Sequence, residues 1–211
     1  MSTAAPQAPA DTTTARRSTR FSARDLVTVA LFGALYVVVA AVFGTAGALG
    51  PAVWLAVVPV TILVNGITFA LFFARVRHAG MFLLFSLILT AFFLLHGGAI
   101  VAVFTTPLIG LIVELIARAG KYRARWSLVA SYALFGLAGF TPLLPMVLNR
   151  EEHLSSAAWQ SMGEEYVRAA EQLFTPGVLG LVLLGCLVAG VLGGLLGAVM
   201  LRKHFRAAGL A

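Results

Sequence analysis

Apolar residues fill most of the chain in long runs, and polar residues are concentrated between those runs. A helix rises about 1.5 Å per residue and the hydrocarbon core of a bilayer is about 30 Å thick, so about 20 apolar residues span it. Six segments meet or approach that length: Leu26–Ala48, Ala52–Ala74, Gly80–His96, Gly98–Ala117, Trp126–Leu148 and Pro176–Leu201. The pattern predicts an all-α integral membrane protein, a six-transmembrane-helix bundle.

The third segment is the shortest of the six. Its unbroken apolar run, Met81–Leu95, is marginal for a full crossing. A re-entrant hairpin over Gly80–Ala117 would leave the flanking charges on the same side, so the charge pattern allows both arrangements. We expect two full crossings because the fourth segment is long enough to span.

The apolar segments leave little room for a soluble domain. We expect a disordered cytoplasmic tail over residues 1–24, which lack apolar periodicity, and a membrane domain over residues 25–206. The first apolar run begins at Leu26 and is long enough to span, unlike the short apolar region of a signal peptide. Cys186 is the single cysteine, which excludes an intramolecular disulfide.

Charge distribution indicates the topology. Thirteen of the fifteen Lys and Arg residues form four clusters. These are Arg16, Arg17, Arg20 and Arg24; Arg75 and Arg77; Arg118, Lys121, Arg123 and Arg125; and Arg202, Lys203 and Arg206. Short basic loops stay in the cytoplasm, which predicts that both termini of this multi-pass membrane protein are cytoplasmic. The regions holding these clusters carry +10 and the remaining Asn149–Thr175 carries −3, which gives the net charge of +7. Basicity therefore reports topology rather than binding to nucleic acid.

The segment Asn149–Thr175 is predicted to be an external loop with an amphipathic helix. Apolar residues recur there near a helical period, and Ser155 or Ser156 is a candidate N-cap. The apolar positions are Trp159, Met162, Tyr166, Ala169, Ala170 and Leu173. Such a helix would lie on the outer surface, either as an interfacial anchor or as a lid over an outward pocket.

Ionisable residues are nearly absent from the apolar segments. Glu114 is the only acid within one, and Arg118 follows at i+4, which predicts a paired couple at the membrane surface. A carrier coupled to protons or sodium needs charge or unwound backbone near the midplane. No His-Glu-x-x-His or Gly-x-Ser-x-Gly motif is present, so we expect no enzyme activity and no cofactor or metal.

Several polar side chains fall inside or beside the apolar segments. Thr61, Asn65 and Thr68 form a stripe on the second helix, which should face the interior of the bundle. Prolines 107, 142 and 145 predict kinks in the outer halves of the fourth and fifth helices, where a pocket for a small, mostly apolar or aromatic ligand is expected. The candidate ligand-binding residues are Trp54, His96, Thr105, Thr106, Thr141, Asn149, Arg150 and Tyr166.

The first helix carries small residues at Ala30, Gly33 and Ala34, which would allow another helix to approach closely. The segment Arg24–Tyr36, RDLVTVALFGALY, resembles the substrate-binding S components of energy-coupling factor (ECF) transporters. Within these it is most similar to the group called MptD or Trep_Strep. Supporting matches are Gly120, Lys121 and Tyr122, and MGEEY at 162–166.

The resemblance implies a membrane subunit that captures a nutrient outside the cell, together with a separate T component and two cytoplasmic ATPases. It places the docking contact with the T component at Ala30, Gly33 and Ala34. It also places part of the substrate pocket at the first outer loop, about residues 44–51. Members that carry cobalt or nickel have a histidine near the N-terminus, and this chain has none there. The alternatives are a small secondary carrier or channel, or a membrane structural or partner protein without transport activity.

Overall fold

The computed structural model describes residues 21–76, 78–96 and 100–207, with side chains up to residue 203. Most of the predicted tail lies outside these ranges. Within them the chain forms ten α-helices and two 3₁₀ segments, Ala46–Leu49 and Leu137–Leu143. The helices are α1 Ala23–Thr45, α2 Pro51–Arg75, α3 Met81–Leu95, α4 Ala102–Ala119, α5 Arg125–Gly136, α6 Leu144–Leu148, α7 Arg150–Leu154, α8 Ala157–Gln160, α9 Glu164–Leu173 and α10 Pro176–Ala207.

Five helical stretches are long and apolar enough to cross a membrane. These stretches keep the numbers of the predicted segments they match: first Ala23–Leu49, second Pro51–Arg75, fourth Ala102–Ala119, fifth Arg125–Leu148 and sixth Pro176–Lys203. The third predicted segment forms α3, whose 15 residues extend about 22 Å. The all-helical membrane fold is therefore confirmed, with one apolar helix shorter than the rest.

Helix α4 extends through most of the bundle. The Thr105 hydroxyl, near the start of α4, lies 3.5 Å from the hydroxyl of Thr141. Thr141 belongs to the last third of the stretch Arg125–Leu148, so α4 begins close to the level at which that stretch ends. A full crossing by α4 requires this depth, whereas the crossing by α3 stays a prediction.

The described basic clusters meet at one end of the bundle, which we call the basic end. Asp25 at the start of α1 lies 3.5 Å from His78, which follows α2. Glu114 of α4 contacts the first turn of α3. At the opposite end, the acidic end, Tyr166 of α9 bonds the backbone of Gly47. The hairpin topology expected from the charge clusters is therefore present.

Glycines hold α10 against α2 and α5. A Cβ at Gly66 of α2 would lie 2.4 Å from backbone atoms of Gly193, and one at Gly190 would lie 2.9 Å from Ala133 of α5. Without a side chain, the backbones approach closely, as small residues allow in membrane bundles. The spacing of Gly190, Gly193, Gly194 and Gly197 predicts that the last helix packs against its own neighbours, and the structure confirms it. The contribution of Gly66 was not foreseen.

Aromatic rings fill the centre of the bundle. Phe72 and Phe85 stack with centroids 4.6 Å apart, and Phe69 lies 4.8 Å from Tyr132. The Asn65 amide, which is fully buried, donates to the carbonyl of Tyr36 at 3.2 Å and so joins α2 to α1. Asn65 and Thr68 are buried, whereas Thr61 is half-buried, so the polar stripe of α2 faces mainly inward as predicted.

Prolines act differently in the two predicted kinks. Pro142 lies in the 3₁₀ segment that interrupts the fifth stretch between α5 and α6, which confirms a departure from α-helix there. A proline nitrogen has no hydrogen to donate to the carbonyl four residues earlier. Pro107 lies inside α4, which continues as α-helix through it, so a kink there stays a prediction. Pro59 inside α2 was not foreseen.

The predicted pair of Glu114 and Arg118 is wrong. Glu114 is buried, with 4% exposure, while Arg118 is exposed. One carboxylate oxygen accepts the backbone N–H of Phe82 at 3.1 Å, and the other accepts the hydroxyl of Tyr122 at 2.5 Å. A carboxylate at the N-terminus of α3 is favoured by the helix dipole. Burial and the hydrogen bond to Glu114 raise the pKa of Tyr122.

Glu114→Ala should destabilise the protein by about 2–4 kcal/mol, because it leaves the Phe82 N–H and the Tyr122 hydroxyl without their acceptor. Arg118→Ala removes an exposed side chain and should change stability by less than about 0.5 kcal/mol. Thermal unfolding of the purified protein in detergent measures both effects. Equal losses of stability in the two variants would instead support the predicted ion pair between Glu114 and Arg118.

Candidate functional site

An aromatic cap closes the acidic end of the bundle; it consists of Trp54, His153, Trp159, Tyr166 and Phe174. Trp159 is at its centre, with ring centroids 5.9 Å from Trp54 and 6.0 Å from both Tyr166 and Phe174. Trp159 and Phe174 are buried, whereas Trp54 and Tyr166 are half-buried. The cap joins the loop 149–175 to the first turn of α2.

Two polar bonds fix the cap. The Tyr166 hydroxyl donates to the carbonyl of Gly47 at 3.0 Å, which ties α9 to the 3₁₀ turn after α1. The Trp159 indole N–H donates to Nε2 of His153 at 3.1 Å. Burial lowers the pKa of His153, which favours the neutral imidazole that this bond requires. Protonation of His153 removes the acceptor, so acidification weakens the cap.

The loop differs in detail from the predicted amphipathic helix. Three short helices replace one, and Gly163, at φ +95°, begins the last of them. A positive φ is readily adopted by glycine, which explains the break. The amphipathic helix is α9, which buries Val167 and Ala170, while Met162 and Ala169 are exposed. Ser156 is the N-cap residue of α8 but makes no side-chain capping bond.

A threonine cluster lies where α4 meets the 3₁₀ segment of the fifth stretch; it consists of Thr105, Thr106 and Thr141. The Thr105 hydroxyl donates to the carbonyl of Val101 at 3.0 Å and lies 3.5 Å from the Thr141 hydroxyl. Thr106 is fully buried, and its hydroxyl has no partner among the described residues. A buried hydroxyl without a partner is costly, so Thr106 retains unused hydrogen-bonding capacity.

The other candidate residues lie apart from these two groups. His96 is exposed at the end of α3, where Nδ1 lies 2.9 Å from the carbonyl of Phe92 and the ring packs on the Phe92 ring. The Asn149 amide is exposed and donates to Glu152, and Arg150 is half-buried. The structure therefore brings together Trp54 with Tyr166 and Thr105 with Thr141, but records no contact that adds His96, Asn149 or Arg150.

Sequence reasoning missed three members of the cap as candidate site residues. Trp159 was placed on the apolar side of the loop helix but not in the site, and His153 and Phe174 were not considered. The presence of Trp159, Tyr166 and Phe174 on one loop with five acids was a usable signal for Trp159. Nothing in the sequence indicated the pairing of His153 with Trp159, because it depends on the turn between α7 and α8.

Ala30 and Ala34 lie exposed on α1, as a docking surface requires. Gly33 lies on a different face: it is buried, and a Cβ there would be 2.5 Å from the side chain of Ile88. Gly33 therefore packs α1 against α3 inside the bundle. It therefore offers no exposed surface to the predicted docking contact with a T component.

Comparison with known proteins places the chain in a family. Residues 23–207 match the model of a family described as hypothetical bacterial integral membrane protein (Trep_Strep). No curated protein and no solved structure matches the chain. The matched region covers all six predicted apolar segments and the loop that forms the cap. This chain therefore belongs to the Trep_Strep family of bacterial integral membrane proteins.

Proposed function

We propose that the protein is the substrate-binding subunit of an ATP-driven nutrient transporter of the ECF type. A separate membrane T component and two cytoplasmic ATPases supply the motion and the energy. The observation that carries the proposal is the exposed small-residue face of α1. In the most apolar window of the first stretch only 17% of the residues are buried, against 44% for α2 and 56% for the fifth stretch.

The shape of that face suits a helical partner. Ala30 and Ala34 are one turn apart and exposed, and larger exposed residues, Leu31 and Leu35, flank them. Small residues between larger ones leave a shallow depression into which a second helix fits closely. Lipid gains little from such a depression, whereas a T component would bury it.

The positions of the two buried acids, Asp25 and Glu114, support an energy source in other subunits of the transporter. Asp25 accepts hydrogen bonds from the backbone and hydroxyl of Ser22 and caps α1. Glu114 is held by Phe82 and Tyr122 at the start of α3. Both carboxylates stabilise helix ends at the basic end, and neither lies at mid-depth, where a coupling ion would bind. Uphill transport then depends on the ATPases.

The acidic end supports capture of a small molecule with an aromatic or apolar body and a few polar groups. Rings of the cap would contact the body, and the threonine cluster would bond a hydroxyl or carbonyl group. Of the two arginines near this end, Arg150 is half-buried and Arg168 is exposed, which disfavours a polyanionic ligand. The cap must open for entry because its rings fill this end.

The test first identifies the small molecule that co-purifies with the protein, by mass spectrometry after denaturation. That molecule is then titrated against the wild-type protein and its variants to measure its affinity. Thr105→Val and Thr141→Val keep the side-chain shape but remove a hydroxyl, so each should weaken binding about 3- to 10-fold. Thr28→Val is the matched control, because its hydroxyl bonds the carbonyl of Arg24 at the basic end. Equal affinity in all variants, or an equal loss in the control, would place the ligand elsewhere.

A further inference from the structure

A groove of about 270 Å³ lies at the basic end, between the end of α2, the start of α5 and the end of α10. Its inner wall is apolar and includes Phe73, Leu128 and Leu201. Three arginines also line it, Arg123, Arg125 and Arg202. The volume is near the lower limit of ligand pockets, about 300 Å³, and suits a headgroup rather than a whole lipid.

The three arginines line the groove without an opposing charge among the residues that the structure describes. No acidic residue of the described ranges lines it. Among the described side chains the only ion pair joins His78 to Asp25, and Glu114 is already bonded to Phe82 and Tyr122. Arg123, Arg125 and Arg202 are all exposed, so they can reach a ligand without a change in the fold.

The groove lies at the level where a lipid headgroup would be. Trp126, next to Arg125, is 57% exposed, and tryptophan is typical of the interface between lipid and water. Leu195 and Val199 of α10 are exposed on the approach to Arg202, as lipid-facing residues would be. A ligand that fits both the apolar wall and the three arginines has an anionic phosphate next to an apolar chain.

We propose that this groove is a binding site for the phosphodiester headgroup of an anionic phospholipid. The phosphate lies among Arg123, Arg125 and Arg202, since guanidinium groups bind phosphate oxygens in pairs. The first part of one acyl chain lies along Phe73 and Leu201. A basic pocket between transmembrane helices is a setting in which anionic headgroups bind. This site is independent of the proposed transport function.

The test uses the full-length protein in detergent, titrated with phosphatidylglycerol or phosphatidylcholine and followed by native mass spectrometry. Arg123→Gln with Arg202→Gln should weaken phosphatidylglycerol binding about 25-fold, from about fivefold per arginine. Phosphatidylcholine binding should not change. The matched control is Arg75→Gln with Arg118→Gln, two exposed arginines at the same end outside the groove, which should have less than about a twofold effect.

Four results would overturn the proposal. Equal loss in the control pair would mean general attraction to a basic surface, and equal binding of the two lipids to the wild-type protein would mean an apolar groove alone. Displacement of phosphatidylglycerol by inorganic phosphate in excess would identify a site for free phosphate. If the variant with Arg123→Gln and Arg202→Gln fails to fold, the salt dependence of lipid binding to the wild-type protein is measured instead. Raising the salt concentration from about 50 to about 500 mM should weaken binding of phosphatidylglycerol but not of phosphatidylcholine. Equal binding of phosphatidylglycerol at both concentrations contradicts the proposal.

Discussion

Gly66→Ala is expected to abolish stable folding or to lower the unfolding free energy by about 3 kcal/mol or more. The new Cβ would lie 2.4 Å from the carbonyl carbon and oxygen of Gly193. Those are backbone atoms, so no side chain can rotate away, and α2 must separate from α10. The separation would also disturb Gly197, whose own Cβ position is 2.7 Å from the Gly66 carbonyl oxygen.

Gly180→Ala is the matched control for this prediction. Gly180 lies on α10, and a Cβ there meets nothing within 4 Å. The substitution should be neutral or slightly stabilising, because alanine favours helix more than glycine does. Thermal unfolding and size-exclusion chromatography in detergent compare the two. Similar stability in Gly66→Ala and wild type would contradict the close approach of α2 and α10.

Ala30→Trp and Ala34→Trp should each reduce recovery of the T component and the ATPases roughly tenfold or more, a loss of at least about 1.4 kcal/mol in association. An indole at either position fills the depression on α1 and holds the partner helix away. Both alanines are exposed, so the isolated subunit should fold and bind its ligand as the wild type does. Affinity purification followed by quantitative mass spectrometry measures the recovery.

Leu181→Trp controls for the added indole. Leu181 is 69% exposed on α10, and tryptophan there should leave partner recovery unchanged. Normal recovery with both alanine variants would show that α1 is not the docking surface. Loss in all three variants would indicate a general effect of bulky residues on the membrane-facing surface.

The positions of the long apolar helices were predictable because they follow from length and hydropathy, whereas the crossing by the shorter α3 stays a prediction. Each long apolar segment became helical, since backbone groups in lipid must bond within their own segment. The internal packing of the α10 glycines was also predictable from their spacing. Their partner Gly66 was not, because a single glycine in α2 shows no pattern until α10 lies against it.

The hydrogen-bond partners of Glu114 could not be predicted from rules that use only neighbouring positions in the sequence. The i+4 rule considers residues of a single helix, and it indicated Arg118 as the partner. The actual partners are Phe82, 32 residues away on α3, and Tyr122, eight residues away in the turn after α4. Lys121 and Tyr122 both have positive φ in that turn, which is uncommon for such residues and which the sequence did not indicate.

The candidate site was predicted in part. Hydroxyl-bearing residues near Pro107 and Pro142 were expected to meet, and Thr105 and Thr141 do. The loop was predicted to be either an interfacial anchor or a lid, with Tyr166 on it, but the place of Trp159 at the centre of the cap was not predicted. Packing of α8 onto Trp54 and of α9 onto Gly47 depends on the break at Gly163, and periodicity averaged over the loop conceals such a break.

Purification of the tagged full-length protein from the membranes of the bacterium that makes it tests the proposed function most directly. The account predicts that one further integral membrane protein and two ATP-hydrolysing subunits co-purify in a fixed ratio. It also predicts that the reconstituted complex accumulates the co-purified small molecule in vesicles only when ATP is supplied. A protein that purifies without ATPases and accumulates the same molecule alone, driven by an ion gradient, would contradict it.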